Sequence, residues 1–115
     1  MTDQTINARR TARQQMLQLL RDICNGAVAL CERELIKSGQ WQARAKPALS
    51  ACVMMHRGVA ASHPRLADEL HILAAEIQIA LAAQADEALF ASRILKIREA
   101  VRRVQQIGID GDRVG

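Results

Sequence analysis

The residues of this sequence whose types could carry chemistry are three histidines and three cysteines. His56 follows Cys52 by four residues, and side chains at that spacing on a helix can share a metal ion. Cys24 and Cys31 cannot join one zinc site, because residues seven apart on a helix lie about 10 Å apart along its axis. The same separation excludes a disulfide between them. We therefore interpret these residues as reduced core side chains and predict that the protein binds no metal and no cofactor.

A second chemistry for His56 is phosphoryl transfer. The segment 55–58 (Met-His-Arg-Gly) resembles the signature of histidine phosphotransfer domains, which are small helical bundles with an exposed histidine in mid-helix. That family has Lys and Gly three and four residues after its histidine, whereas Val59 and Ala60 stand at those positions here. The resemblance implies phosphorylation of His56, but the apolar face on which this residue falls favours a buried, hydrogen-bonded histidine.

The sequence contains no other arrangement typical of an enzyme. It has no G-x-S-x-G, Walker, G-x-G-x-x-G or H-E-x-x-H motif. The segment 108–112 resembles part of a calcium loop but lacks the remaining ligands and the closing Glu. His71, one turn after Asp68, is assigned to a solvated helix face, and His63 to a loop or cap. We therefore predict a protein that is not an enzyme.

Basic side chains form two clusters that could contact nucleic acid. The candidates are Arg9, Arg10 and Arg13 near the start, and Lys96, Arg102 and Arg103 near the end. Such residues can follow a phosphate backbone, although the formal net charge is only +4. Residues 66–92 carry five acidic side chains and no Lys or Arg, so helix packing can neutralise much of the basic charge. Nucleic-acid binding is therefore kept as the alternative function.

The hydrophobic periodicity predicts one long amphipathic helix over residues 5–37. Its apolar positions recur at spacings of three and four, and they continue through Asn25 and Gly26, a dipeptide common in turns. We therefore predict a continuous or kinked helix, with a break at Gly26 as the alternative. Ser38 and Gly39 end this helix, because glycine is common just past a helix terminus.

The second and third helices are placed by their prolines. Pro47 suits the first position of a helix, which predicts a helix over residues 47–61. The alternative is a helix that starts near Trp41 and kinks at Pro47. The third helix, over residues 64–83, begins at a proline in the same way and carries a leucine-rich seam.

The end of the sequence predicts a fourth helix over residues 87–107. A turn at 84–86, with Asp86 as the N-cap, separates it from the third helix. Without that turn the third and fourth helices would be continuous, forming a rod about 66 Å long, which would require dimerisation. The residues from Gly108 onwards are predicted to form a frayed, flexible tail.

The composition indicates a single all-α domain over residues 1–115. The chain is 50% hydrophobic and only 2% aromatic, which argues against a β-sandwich or barrel. We predict an antiparallel four-helix bundle with a core of Ala, Leu and Ile. The excess of Arg over Lys, with abundant Ala, favours a bacterial or phage source. No secretory leader and no bilayer-spanning stretch is recognisable, so we expect a cytoplasmic protein that does not enter a membrane.

Trp41 is the one tryptophan, and it follows directly after a helix stop. The segment 35–41 resembles the helix–Gly–x–Trp corner of flagellar type III export chaperones, which are also small helical proteins. A match of seven residues does not assign the chain to that family. Trp41 is either a plug at the end of the bundle, which is the preferred interpretation, or an anchor for a binding partner.

The helices carry more apolar surface than so small a bundle can bury. The third helix is apolar nearly all round over residues 72–83, a pattern typical of the centre of a bundle or of an oligomer interface. We therefore predict a homodimer, or an obligate contact with a larger protein, as in a small chaperone, adaptor or inhibitor. The candidates for protein contacts are Trp41, Ile72, Ile79 and Leu95.

Overall fold

The computed structural model describes residues 3–109. Over that range the protein is all-helical, with no strand, which confirms the predicted fold class. The helices are α1 (Asp3–Ala29), α2 (Arg33–Lys37), α3 (Trp41–Val59), α4 (Pro64–Ala82) and α5 (Glu87–Ile107). Helix α4 packs against α3 and α5, and α1 also packs against both of those helices. None of the helices in this range combines the length and apolar character needed to cross a bilayer.

The core is aliphatic, and α4 supplies much of it. Among its fully buried side chains are Leu30, Leu66, Leu70, Leu73, Ile77, Ile97, Val101 and Val104. Fully buried alanines on four helices let neighbouring backbones approach closely. These are Ala27, Ala45, Ala80 and Ala100. Within residues 8–109 no polar or charged residue is buried as a whole, so apolar burial is the main stabilising contribution.

The long first helix ends earlier than the sequence predicts. It continues through Gly26, as expected, but it stops at Ala29, and residues 33–37 form the separate short helix α2. The Trp41 indole N–H donates to the carbonyl oxygen of Leu30 at 2.8 Å, an acceptor that a continued helix would use for its own backbone. The prediction of one helix over 5–37 was therefore wrong, because a side chain from α3 competes for the backbone of α1.

The second predicted helix begins earlier than its preferred start at Pro47. Helix α3 begins at Trp41 and includes Pro47 in its interior, which is the alternative that the sequence left open. Burial of Trp41 and Ala45 on the first turns favours the longer helix. The backbone bond lost at Pro47 would run to the carbonyl of Ala43, and Ala43 is exposed, so water can take its place.

The last two helices follow the sequence prediction closely. Pro64 is the first residue of α4, and the turn before Glu87 separates α4 from α5. The Asp86 carboxylate accepts a hydrogen bond from the backbone N–H of Leu89 at 3.0 Å, so it is the N-cap of α5. The predicted tail differs at its start, because Ile109 is buried against the core. Residues 110–115, the rest of that tail, lie outside the described range.

Candidate interaction surface

The apolar contact candidates lie on more than one side of the molecule. Ile72 exposes 38% of its surface and Ile79 exposes 41%, and both lie on the same side of α4, because they are two turns apart. Leu95 on α5 exposes 56%. Its position on the helical wheel is about 160° from that of Arg93, whose side chain points towards α4. Leu95 therefore does not belong to the surface formed by Ile72 and Ile79.

Trp41 is not on the surface. It exposes only 3% of its area, and its indole is fixed by the hydrogen bond to the Leu30 carbonyl. Its ring meets Phe90 in an edge-to-face contact, with the centroids 4.8 Å apart and the planes at 81°. Trp41 is therefore not available for contact with a partner, because it is buried as a plug inside the molecule.

An ion pair between α4 and α5 lies beside Ile72 and Ile79. The Glu76 Oε2 and Arg93 Nη1 atoms are 3.6 Å apart. Ile72 and Ile79 lie four residues before and three residues after Glu76, so all three share one side of α4.

The same spacing recurs on α5, where Leu89 and Lys96 lie four residues before and three residues after Arg93. The two helices run in opposite directions, because a short turn joins them. Measured along the helix axes, Ile79 therefore lies at the same height as Leu89, and Ile72 at the same height as Lys96; we call this height the level of a residue. We call this surface the α4–α5 face; it consists of Glu69, Ile72, Glu76 and Ile79 on α4 and of Leu89, Arg93 and Lys96 on α5.

The charged groups of the α4–α5 face have unused hydrogen-bonding capacity. Glu69 Oε2, Glu76 Oε2 and Arg93 Nε are buried atoms without a hydrogen-bond partner. The ion pair does not satisfy them, because 3.6 Å is longer than a hydrogen bond. Unpaired buried polar atoms are unfavourable by about 1–3 kcal/mol each. These atoms are shielded within the chain, so a partner would contact only the accessible parts of the Arg93 and Glu76 side chains, which expose 31% and 18% of their areas.

The histidines have structural partners. His56 is half-buried, and its Nδ1 lies 2.9 Å from the carbonyl oxygen of Ala67, to which it donates, because a carbonyl only accepts. Its ring centroid is 5.3 Å from that of the exposed His71. A half-buried, hydrogen-bonded histidine differs from the exposed histidine of phosphotransfer domains. Over the part of the chain that the structure describes, no three His, Cys, Asp or Glu side chains converge as a metal site.

The cysteines are free thiols held in the protonated form. Burial, with a smaller contribution from nearby Cys24, raises the pKa of the Cys52 thiol to about 12. Burial also raises the pKa of Cys24. Burial raises the pKa of Cys31 too, although the guanidinium of Arg98 acts in the opposite direction. Because the thiolate is the reactive form, these residues are poor nucleophiles.

The two basic clusters are accessible. Arg9, Arg10, Arg13, Lys96, Arg102 and Arg103 are all exposed. Arg13 lines a cleft with Ile109, whereas Arg102 lines a different cleft with Val28, which is fifteen residues after Arg13 on α1. Lys96 is engaged by Glu99, with 3.7 Å between its Nζ and the carboxylate. The structure therefore separates the two arginine clusters along the molecule and leaves Lys96 on the α4–α5 face.

Comparison with protein-family models, with curated proteins and with solved structures finds no match for this chain. Its function is therefore inferred from its own surface. Sequence reasoning missed Leu89 and the Glu76–Arg93 pair, because their importance depends on how α4 and α5 face each other. The signal that could have found them is the repeated spacing of apolar residues around opposite charges on two consecutive helices.

Proposed function

We propose that this protein is a non-catalytic interaction module that buries its α4–α5 face against another polypeptide. The observation that carries this proposal is the grouping of Ile72, Ile79 and Leu89, which expose 38%, 41% and 42% of their surfaces beside one ion pair. Burial of apolar area is favourable by about 25 cal/mol per Å², so covering these side chains stabilises a complex. The charged groups between them set its register.

The arrangement of helices supports the same proposal. We propose that α1, α3, α4 and α5 form an antiparallel four-helix bundle, with α2 as the corner between α1 and α3. Because the core side of α4 is already filled, its outer apolar side remains for a partner. Helix-on-helix burial of this kind suits a chaperone, adaptor or inhibitor acting in the cytoplasm of a bacterium, or encoded by a phage.

The test is capture by the full-length chain from a lysate of the cells that encode it, with two single variants compared. Ile79→Glu places a charge on the α4–α5 face, and Leu95→Glu places the same charge on the opposite side of α5. We expect capture of a protein in high salt and after nuclease treatment, which Ile79→Glu abolishes and Leu95→Glu retains. Equal capture by both variants, or a native chain that binds neither another protein nor a second copy of itself, would contradict the proposal.

The alternative function is nucleic-acid binding through the two basic clusters. It is favoured by the exposure of Arg102 and Arg103, which are adjacent on α5, and of the three arginines at positions 9, 10 and 13 on α1. Gel retardation with random duplex DNA at low and moderate salt distinguishes the two functions. The interaction module predicts no retardation. Salt-sensitive retardation that is lost in the Arg102→Ala, Arg103→Ala double variant would favour the alternative.

A further inference from the structure

The two halves of the α4–α5 face have opposite charge. The α4 half carries Glu69 and Glu76, whereas the α5 half carries Arg93 and Lys96, the second of which is also paired with Glu99 at 3.7 Å. The apolar residues lie among them, with Ile79 and Leu89 at one end, next to the turn that joins the helices. A surface that is half acidic and half basic cannot match a partner of a single charge, but it can match a copy of itself in the correct orientation.

We propose that the α4–α5 face is covered by the same face of a second copy, related by a two-fold axis parallel to the helices. This deepens the proposed function, and rests on it, by naming the occupant of the surface. Rotation about such an axis places α4 of each copy over α5 of the other, so the acidic half meets the basic half twice. The alternative is a two-fold axis that is perpendicular to the helices and parallel to the face. It would place α4 of one copy on α4 of the other and bring the two Glu76 side chains together, which Coulomb repulsion disfavours.

The levels of the side chains also match in this orientation. Because the axis is parallel to the helices, each residue meets the residue at its own level on the other helix. Ile79 of one copy then packs against Leu89 of the second copy, and this contact occurs twice. Each exposes about two-fifths of its surface in the single chain, at 41% and 42%. Apolar area is therefore buried on both sides of the axis.

The charged centre of the face becomes complete in the same arrangement. Glu76 of each copy meets Arg93 of the other, so the two ion pairs form a cluster of four alternating charges. The parts of the Arg93 and Glu76 side chains that remain accessible in one chain, 31% and 18% of their areas, supply the contacts across the interface. Charges that become buried are tolerated when they are paired, and each charge of the cluster has two opposite neighbours.

The mass of the full-length chain in solution tests the apolar part of the proposal. Sedimentation equilibrium should give twice the chain mass of 12.7 kDa. Ile79→Glu and Leu89→Glu should each reduce the mass to that of one chain, because each places a carboxylate in the apolar contact. Leu95→Glu, with the same chemical change at a more exposed leucine of α5, should remain a dimer. Circular dichroism should show that all three variants keep their helices, since the altered side chains are exposed.

Charge reversal tests the orientation of the two copies. Glu76→Arg alone should raise the dissociation constant of the dimer by about tenfold or more, because it brings two arginines together at each contact. The double variant Glu76→Arg, Arg93→Glu should restore most of the affinity, because the four charges alternate again. A double variant that stays as weak as the single one would overturn the proposed axis.

Two results would overturn the dimer itself. One is a native chain that sediments as a monomer at every concentration. The other is a dimer that persists in both Ile79→Glu and Leu89→Glu with their helices intact. If the native chain is monomeric and its capture of another protein depends on Ile79, the second copy is excluded while the interaction module stands. If nothing is captured either, both are excluded.

Discussion

At the scale of single residues, Trp41 connects segments that are distant in the sequence. Its indole N–H satisfies the Leu30 carbonyl at the end of α1, and its ring contacts Phe90 on α5. Trp41 is also the first residue of α3, so one side chain links the end of α1 to α3 and to Phe90 of α5. The 3% exposure of Trp41 follows from these contacts, and it explains why the residue is unavailable to a partner.

Trp41→Phe should lower the free energy of unfolding by about 1–3 kcal/mol, because the buried Leu30 carbonyl loses its donor. Urea unfolding followed by far-UV circular dichroism measures this change, since the variant lacks the tryptophan needed for fluorescence. Leu95→Phe, a matched aromatic substitution on the surface, should change stability by less than about 0.5 kcal/mol. Equal stabilities of the native chain and Trp41→Phe would contradict the role of the indole.

The cysteines should differ in reactivity according to their burial and surroundings. The pKa of Cys52 is raised to about 12, so at about pH 8 almost none of it is thiolate, and its ionisation in the folded chain grows only as the pH approaches 12. Cys31 is less buried, and Arg98 favours its thiolate. Alkylation of the folded chain, located by mass spectrometry, should modify Cys31 first and Cys52 only after denaturation. Labelling of Cys52 as fast as Cys31 would contradict this order.

At the scale of the helices, local sequence patterns predicted α4 and α5 well. Pro64 and Asp86 act on their own backbone neighbours, so the starts of both helices could be read from the sequence. The end of α1 could not, because its cause is the side chain of Trp41, which comes from another helix. Pro47 was misplaced for a similar reason, since burial of the preceding turn outweighed the local preference of proline.

Asp86→Ala should lower the free energy of unfolding by about 1 kcal/mol, because the backbone N–H of Leu89 loses its acceptor. Asp86→Asn keeps a side-chain oxygen at the cap and should retain most of the stability. Gln84→Ala, in the same turn, serves as the control with a smaller expected change. Urea unfolding of the four proteins measures the series, and an unchanged Asp86→Ala would contradict the capping role.

At the scale of the whole molecule, the exposed apolar residues divide into separate surfaces. The all-round apolar pattern of α4 was sufficient to select Ile72 and Ile79 from the sequence as contact candidates, and both are exposed in the structure. Leu89 and the Glu76–Arg93 pair could be found only once α4 and α5 were paired. Leu95 was grouped with the α4 residues at the sequence level, and the turn of α5 separates it from them. Only the packing of α4 against α5 thus shows which of the exposed apolar residues lie together on one face.

The distribution of charge also has to be considered for the molecule as a whole. The acidic residues of 66–92 were expected to be neutralised inside the molecule, and Glu76 does pair with Arg93. That pair lies at the centre of the α4–α5 face with part of its hydrogen-bonding capacity unfilled. Internal neutralisation is therefore incomplete where the apolar side chains are exposed. The exposure of these apolar side chains is accounted for when a second polypeptide covers this face.

Hydroxyl-radical footprinting of the full-length chain, read by mass spectrometry, tests most directly whether the α4–α5 face is covered in solution. Oxidation should be compared between a concentrated sample and a very dilute one. We expect Ile79 and Leu89 to be protected in the concentrated sample and to react on dilution, while Leu95 reacts equally in both. Equal oxidation of each residue at both concentrations would contradict the dimer, because the α4–α5 face would then be open to water even in the concentrated sample.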